Sequence, residues 1–198
     1  MYLYRRLSQE ERAELVRARL EQGHPPHQPP HPQRDEALYL FTASCYEHCS
    51  HMQAPERRTQ VLDLMFEHTI ERSIELLAWV VLPNHYHLLA RVPEFATAGE
   101  ALRRVHGPTA RAWNAEDGTP GRRVWYRYTD RAIRSEPHTY TTLNYIHFNP
   151  VKHGVAPSPY DWIWSSVHWY LDTFGRDYLR DCWRMYPLHD YGKGWDDL

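Results

Sequence analysis

The stretch Ala78-Trp79-Val80-Val81-Leu82-Pro83-Asn84-His85-Tyr86-His87-Leu88-Leu89 reads as two buried strands around a break. The apolar run from Leu76 to Leu82 has the length of one strand, and His85 to Val92 makes the next. Between them, Pro83 has no amide to give a sheet ladder, and Pro-Asn is turn chemistry. Side chains two apart on a strand point to the same side. His85 and His87 therefore share one face, on a rigid apolar base, and both imidazoles can meet one ion. With 14 histidines in the chain, one such spacing is expected by chance. On spacing alone, two surface histidines on a sheet face fit as well.

Working outward, Ala37 to Ala43 reads as a buried strand and Pro55 to about Glu75 as a helix with Val61, Leu62, Leu64, Met65 and Ile70 as its apolar positions. Residues 96–114 read as a second helix, Gly118 to Gly121 as a turn and Val124 to Ile133 as a fourth strand. His138 to Asn149 reads as a helix ended by Pro150. The order β-α-β-β-α-β-α predicts an α+β protein: an antiparallel sheet with helices packed on one face. Upstream, Ser8 and Glu11 form a capping box that starts a helix running to about Glu21. Five prolines between Pro25 and Pro32 then favour an extended linker. The chain thus divides into an N-terminal helix and Pro/His-rich linker (1–36), a main domain (37–170) and a C-terminal extension (171–198).

At 198 residues and 42% hydrophobic, the chain can bury a core. No apolar run is long enough to span a membrane, and the charged start does not read as a signal peptide. Three cysteines, Cys45, Cys49 and Cys182, make no disulfide framework, so a reducing cytoplasmic setting is expected. The formal net charge of −2 excludes a uniformly basic nucleic-acid coat, but the charge is segregated. Residues 101–152 hold nine Lys and Arg against four Asp and Glu, a local +5 between acidic flanks. Most of those cations are arginines, which suit bidentate phosphate contacts; a solvated helix face is the plainer reading.

Within the last of these helices Tyr145 and Asn149 are four apart and share a face. A tyrosine there is either a core aromatic or a nucleophile. Lys152 is either a phosphate contact or a helix C-terminal charge. Cys45, His48, Cys49 and His51 are possible zinc ligands, though structural zinc sites usually draw on two separated segments.

These residues carry a resemblance. The stretch 78–89 resembles the strand–turn–strand signature of the IS200-type single-tyrosine (Y1) transposases. These belong to the HUH endonucleases, in which a bulky residue, here Tyr86, separates two histidines. Asn144-Tyr145-Ile146-His147-Phe148-Asn149-Pro150-Val151-Lys152-His153-Gly154 resembles the tyrosine helix of that family. Asp161-Trp162-Ile163-Trp164-Ser165-Ser166 is similar to the D-W-x-x-S-S tail of its REP-associated branch, which the arginine strand from Tyr128 to Arg134 also fits. The resemblance covers about residues 37–170.

The resemblance implies a ferredoxin-like sheet of the Y1/HUH type. It implies a metal-dependent single-stranded DNA endonuclease and strand transferase, with Tyr145 as nucleophile and a 5′-phosphotyrosine intermediate. His85 and His87 would hold a divalent cation, Mg²⁺ or Mn²⁺, with Asn149 as a third ligand where some members carry the longer glutamine. Arg103, Arg104, Arg122, Arg123, Arg127, Arg131, Arg134 and Lys152 would hold DNA, with aromatics from Trp125 to Tyr128 stacking bases. The expected partner is single-stranded DNA beside a hairpin, a REP-like palindrome, in the bacterial nucleoid. The protein would act as a monomer or homodimer. An autonomous IS200-type transposase, or an inactive hairpin DNA- or RNA-binding module on the same fold, are the alternatives.

Overall fold

The computed structural model describes residues 37–195, together with Ser8, Glu10, Glu14 and Arg17. Glu10, Glu14 and Arg17 are helical; the rest of the expected N-terminal helix and the Pro/His-rich linker lie outside the described residues. From residue 37 the elements are β1 (Ala37–Ser44), α1 (Pro55–Ile70), β2 (Glu75–Val81), β3 (His85–Val92), α2 (Phe95–Glu116), β4 (Thr129–Ala132), α3 (Glu136–Lys152) and α4 (Val167–Met185). The strands form one antiparallel sheet in the order β2-β3-β1-β4. The α+β antiparallel architecture expected from the element order is the one observed.

Helices cover both faces of this sheet, not the one face expected from the element order. Tyr39, Phe41, Tyr86 and Leu88 pack under α1 and α2, against Val61, Met65, Leu102 and Val105. Leu40, Val80 and Leu89 face the other way, against Leu143 and Ile146 of α3 and Val167 and Leu179 of α4. The reason lies in β3, where every residue except Arg91 is buried. A strand apolar on both sides needs a layer on each.

Three boundaries differ from the sequence reading. Helix α1 stops at Ile70, which is exposed and not one of its core positions, and the expected end of the helix at Glu75 is instead the first residue of β2. The run from Val124 does not enter the sheet as one strand: only Thr129–Ala132 pairs with β1, and Trp125 makes an isolated bridge to Cys45. β1 has already ended at Ser44, so residues 124–128 have no continuous ladder to join. Nor does Pro150 end α3, which continues to Lys152 with the proline inside it. The stop is Gly154, left-handed at φ 65°. Its amide donates to the Val151 carbonyl, and the Val155 amide donates to the Pro150 carbonyl at 3.0 Å, the paired bonds of a glycine-terminated helix.

The D-W-x-x-S-S segment closes the exposed edge of the sheet. The Val81 amide donates to the Trp164 carbonyl at 2.9 Å, and the Ser166 amide to the Trp79 carbonyl at 2.9 Å. The Trp162 indole donates to the Val81 carbonyl at 2.9 Å. Edge β2 is thereby covered by the chain that leads into α4.

Candidate active site

β3 and α3 build the site. Because β3 alternates, Tyr86 points to the α2 side, where its hydroxyl lies 2.7 Å from His106 Nε2. His85 and His87 point to the α3 side, with ring centroids 5.0 Å apart. Helix α3 is started by Ser135, whose Oγ accepts from the His138 amide at 3.3 Å, and a proline follows in its first turn. It lays Tyr145 and Asn149 over the two imidazoles. Tyr145 Oη lies 3.4 Å from His87 Nε2, and Asn149 Oδ1 lies 3.2 Å from His85 Nε2. All four residues are at most 2% exposed.

The other ring nitrogens are held from behind. His87 Nδ1 meets Thr42 Oγ1 at 2.7 Å, and the sheet register makes these two residues direct cross-strand partners. His85 Nδ1 meets Asn84 Oδ1 at 2.7 Å. His153, just past the end of α3, places its ring 4.8 Å from that of His85. Thr42, Asn84 and His153 were not singled out from the sequence. The register that brings Thr42 to His87 is not local, but Asn149 to His153 repeats the four-residue step from Tyr145.

The donor set fits a divalent cation. The two imidazole rings lie side by side, Asn149 Oδ1 faces His85 Nε2, and the Asn149 amide nitrogen is buried with no hydrogen-bond partner among the described residues. Cys45, His48, Cys49 and His51 are arranged differently. Cys45 is buried at the end of β1, and burial pushes its thiol up to about 12. Cys49 is exposed, and no three of the four bring their ligand atoms to one point. Among the described residues, the carboxylate–imidazole group close enough to share an ion is Glu67, His68 and Glu71 at the C-terminal end of α1, where Glu71 already bonds His68 and Arg72.

Tyr145 is covered by the end of the chain. Its ring centroid is 5.7 Å from that of Tyr191 and 5.6 Å from that of Trp195. Between them, buried Gly192 presses so close that a β-carbon there would fall 2.2 Å from Tyr145 Cε2. Lys152 donates to the Gly192 carbonyl at 3.0 Å and sits 5.3 Å from the centre of the Tyr145 ring. Arg131, projecting from edge strand β4, lies over Trp195 at 3.9 Å.

The remaining arginines are dispersed. Arg103, Arg104, Arg127 and Arg134 are exposed. Arg122 is engaged internally, with Asp117 at 2.7 Å and Asn114 at 3.0 Å. Arg123 lies over both Tyr46 and Tyr126, at 4.8 and 5.1 Å. The expectation that Trp125 stacks on bases is corrected: it is 7% exposed, lies flat on His106 and donates to Thr109. Tyr126, its outward-facing neighbour, stacks on Tyr46 instead. An open groove of about 600 Å³ beside Arg57 and Asp117 shares no residue with the tyrosine site.

No family model matches the chain. A REP-associated tyrosine transposase of Escherichia coli is 29% identical over 145 residues, which is 67% of this chain and 76% of that protein. A putative REP-associated tyrosine transposase of Haemophilus influenzae is 32% identical over 108 residues, 48% of this chain and 59% of that protein. Among solved structures, a REP-associated tyrosine transposase bound to a REP hairpin superimposes with a TM-score of 0.62 at 23% identity, over 74% of this chain and 86% of that one. Over two thirds of its length the chain is thus similar in sequence to a REP-associated tyrosine transposase, and its fold is like that of another.

Proposed function

We propose that the chain is a metal-dependent single-stranded DNA endonuclease and strand transferase that uses Tyr145 as its nucleophile. The observation that carries this reading is the placement of Tyr145 Oη 3.4 Å from His87, beside the convergent His85 and Asn149. Free tyrosine is protonated at neutral pH and needs activation. A divalent cation held by His85, His87 and Asn149 would supply Lewis acidity to the scissile phosphate. Tyr145 would form an Oη–P bond as it loses its proton. The P–O3′ bond would break as the departing oxygen gains one. The products are a 5′-phosphotyrosine and a free 3′-hydroxyl, and a second 3′-hydroxyl can reverse the step.

The relative whose structure is known holds a REP hairpin, so hairpin-flanked single strands are the natural class of substrate. Arg123 with Tyr46 and Tyr126 offers cation and ring together, which suits an unpaired strand. Arg103, Arg104, Arg127, Arg131, Arg134 and Lys152 are assigned to the phosphates.

The test is a 3′-labelled hairpin substrate with Mn²⁺ and a denaturing gel. The unaltered chain gives a denaturation-resistant adduct. Tyr145→Phe gives none, and its hairpin affinity stays within about threefold because only one oxygen is lost. An adduct formed by the Phe variant assigns the chemistry to another tyrosine. The burial of Tyr145 favours one second reading, a hairpin-binding module without cleavage, and the same gel decides it: binding with no adduct from the unaltered chain.

A further inference from the structure

Asn84, between the strand break and the first histidine, holds three groups at once. Its backbone carbonyl accepts from the Cys45 amide at 2.7 Å. Its side-chain Nδ2 donates to the His48 carbonyl at 3.4 Å, and its Oδ1 lies 2.7 Å from His85 Nδ1. The direction of the amide decides what His85 is. A carbonyl only accepts, so the His48 contact requires the NH₂ end of Asn84. The oxygen end then faces His85 Nδ1. An amide oxygen also only accepts, so Nδ1 must carry a hydrogen. In the neutral ring the lone pair is then on Nε2, the nitrogen that faces Asn149. The Asn149 amide must then turn its nitrogen, which has no other partner among the described residues, toward Nε2, because its oxygen as placed would set two acceptors against each other unless a cation lay between them.

We infer that Asn84 is a positioning residue that fixes His85 as the Nδ1–H tautomer, with the Nε2 electron pair aimed at Asn149 and the ring held beside His87. Nothing in the resemblance to transposases assigns this residue a role. The inference rests on the metal-site reading only for its consequence, metal affinity; the tautomer itself follows from geometry. The loop that Asn84 grips supports a demanding placement. Glu47 and His48 are both left-handed, at φ 55° and 52°, conformations that persist only where the surroundings impose them. Asn84 ties that loop to His85 through one side chain. Thr42 holds His87 Nδ1 at the same distance, but a hydroxyl both donates and accepts, so it selects no tautomer.

The experiment uses the full chain, uniformly ¹⁵N-labelled and metal-free at pH 8, in long-range ¹H–¹⁵N spectra of the imidazoles. His85 is assigned by comparison with His85→Gln. The expected result is a neutral ring protonated on Nδ1; a ring protonated on Nε2 overturns the inference. Mn²⁺ titration by calorimetry follows on Asn84→Ala and Asn84→Asp. Asn84→Ala is expected to weaken Mn²⁺ binding about 10- to 100-fold, whereas Asn84→Asp, which keeps an oxygen acceptor, stays within several-fold of the unaltered chain. Both variants lose the donor to His48, so equal loss in both would assign Asn84 to loop anchoring alone and overturn the positioning role. An unaltered chain that binds no Mn²⁺ overturns the metal reading instead, and the imidazole spectrum still decides the tautomer.

Discussion

His85 and His87 contribute to the site as a pair: their ring centroids are 5.0 Å apart and each side-chain Nδ1 is held by a different neighbour. If both ligate one ion, removing either dismantles the same unit. His85→Ala and His87→Ala should each abolish metal-dependent adduct formation, and the double variant should be no worse than either single one. Losses that add would show separate roles, with only one imidazole serving the cation. The pairing of these two histidines was legible because strand periodicity is strict and Leu88 and Leu89 anchor it on both faces. Tyr145 and Asn149 were legible for the same reason on a helix. Asn84 and Thr42 were not, because what they do depends on which nitrogen of a distant or neighbouring ring they meet, and no local pattern encodes that.

The elements show where local patterns lose to tertiary structure. Val124 to Tyr128 has strand-like composition, yet pairing stops where β1 turns away after Ser44. Pro150 carries a stop signal that the following turn overrides, since helix α3 has a glycine to finish it four residues later. The tail motif was recognisable as a pattern but silent about its purpose. Its Ser166 Oγ accepts from the Trp79 amide at 3.1 Å and lies 3.1 Å from His147 Nε2, tying β2, α3 and α4 to one hydroxyl. Ser166→Ala leaves those two buried partners unmatched, which costs about 1–3 kcal/mol. Urea unfolding of the variant measures it, and a loss well under 0.5 kcal/mol would show that water or the backbone replaces the hydroxyl.

Across the whole molecule, buried His147 and half-buried His106 set a response to acid. Burial lowers both His106 and His147 to about 3. In the unfolded chain each returns to the ordinary value near 6.5, so between these values the unfolded state holds more protons. Stability is therefore full above about 6.5 and falls as the pH drops toward 3, by at most about 1.4 kcal/mol per pH unit for each ring. Equilibrium unfolding at pH 7.5 and pH 5 reads this slope, and His106→Gln should remove about one proton's worth. An unchanged slope would mean that His106 is not the group that titrates. The Asp117 carboxylate, held down to about 2 by its bonds to Arg57 and Arg122, contributes nothing between pH 7.5 and pH 5, because its own loss begins only near the ordinary carboxylate value.

The contact of Gly192 with the Tyr145 ring has a consequence for how the chain meets a protease. A phosphodiester cannot approach an oxygen that lies beneath Tyr191, Gly192 and Trp195. Any strand that reaches Tyr145 has to lift the segment after Met185 off α3. Ligands ordinarily shield the chains that hold them. Here the opposite is expected: chymotrypsin should cut after Tyr191 faster when a hairpin-flanked single strand is bound than when it is absent, while cleavage elsewhere slows. Uniform protection would mean that the strand enters from a side the tail does not guard. Occupancy of the site would then be visible as a shortened polypeptide on a gel, with no need to detect any chemistry on DNA.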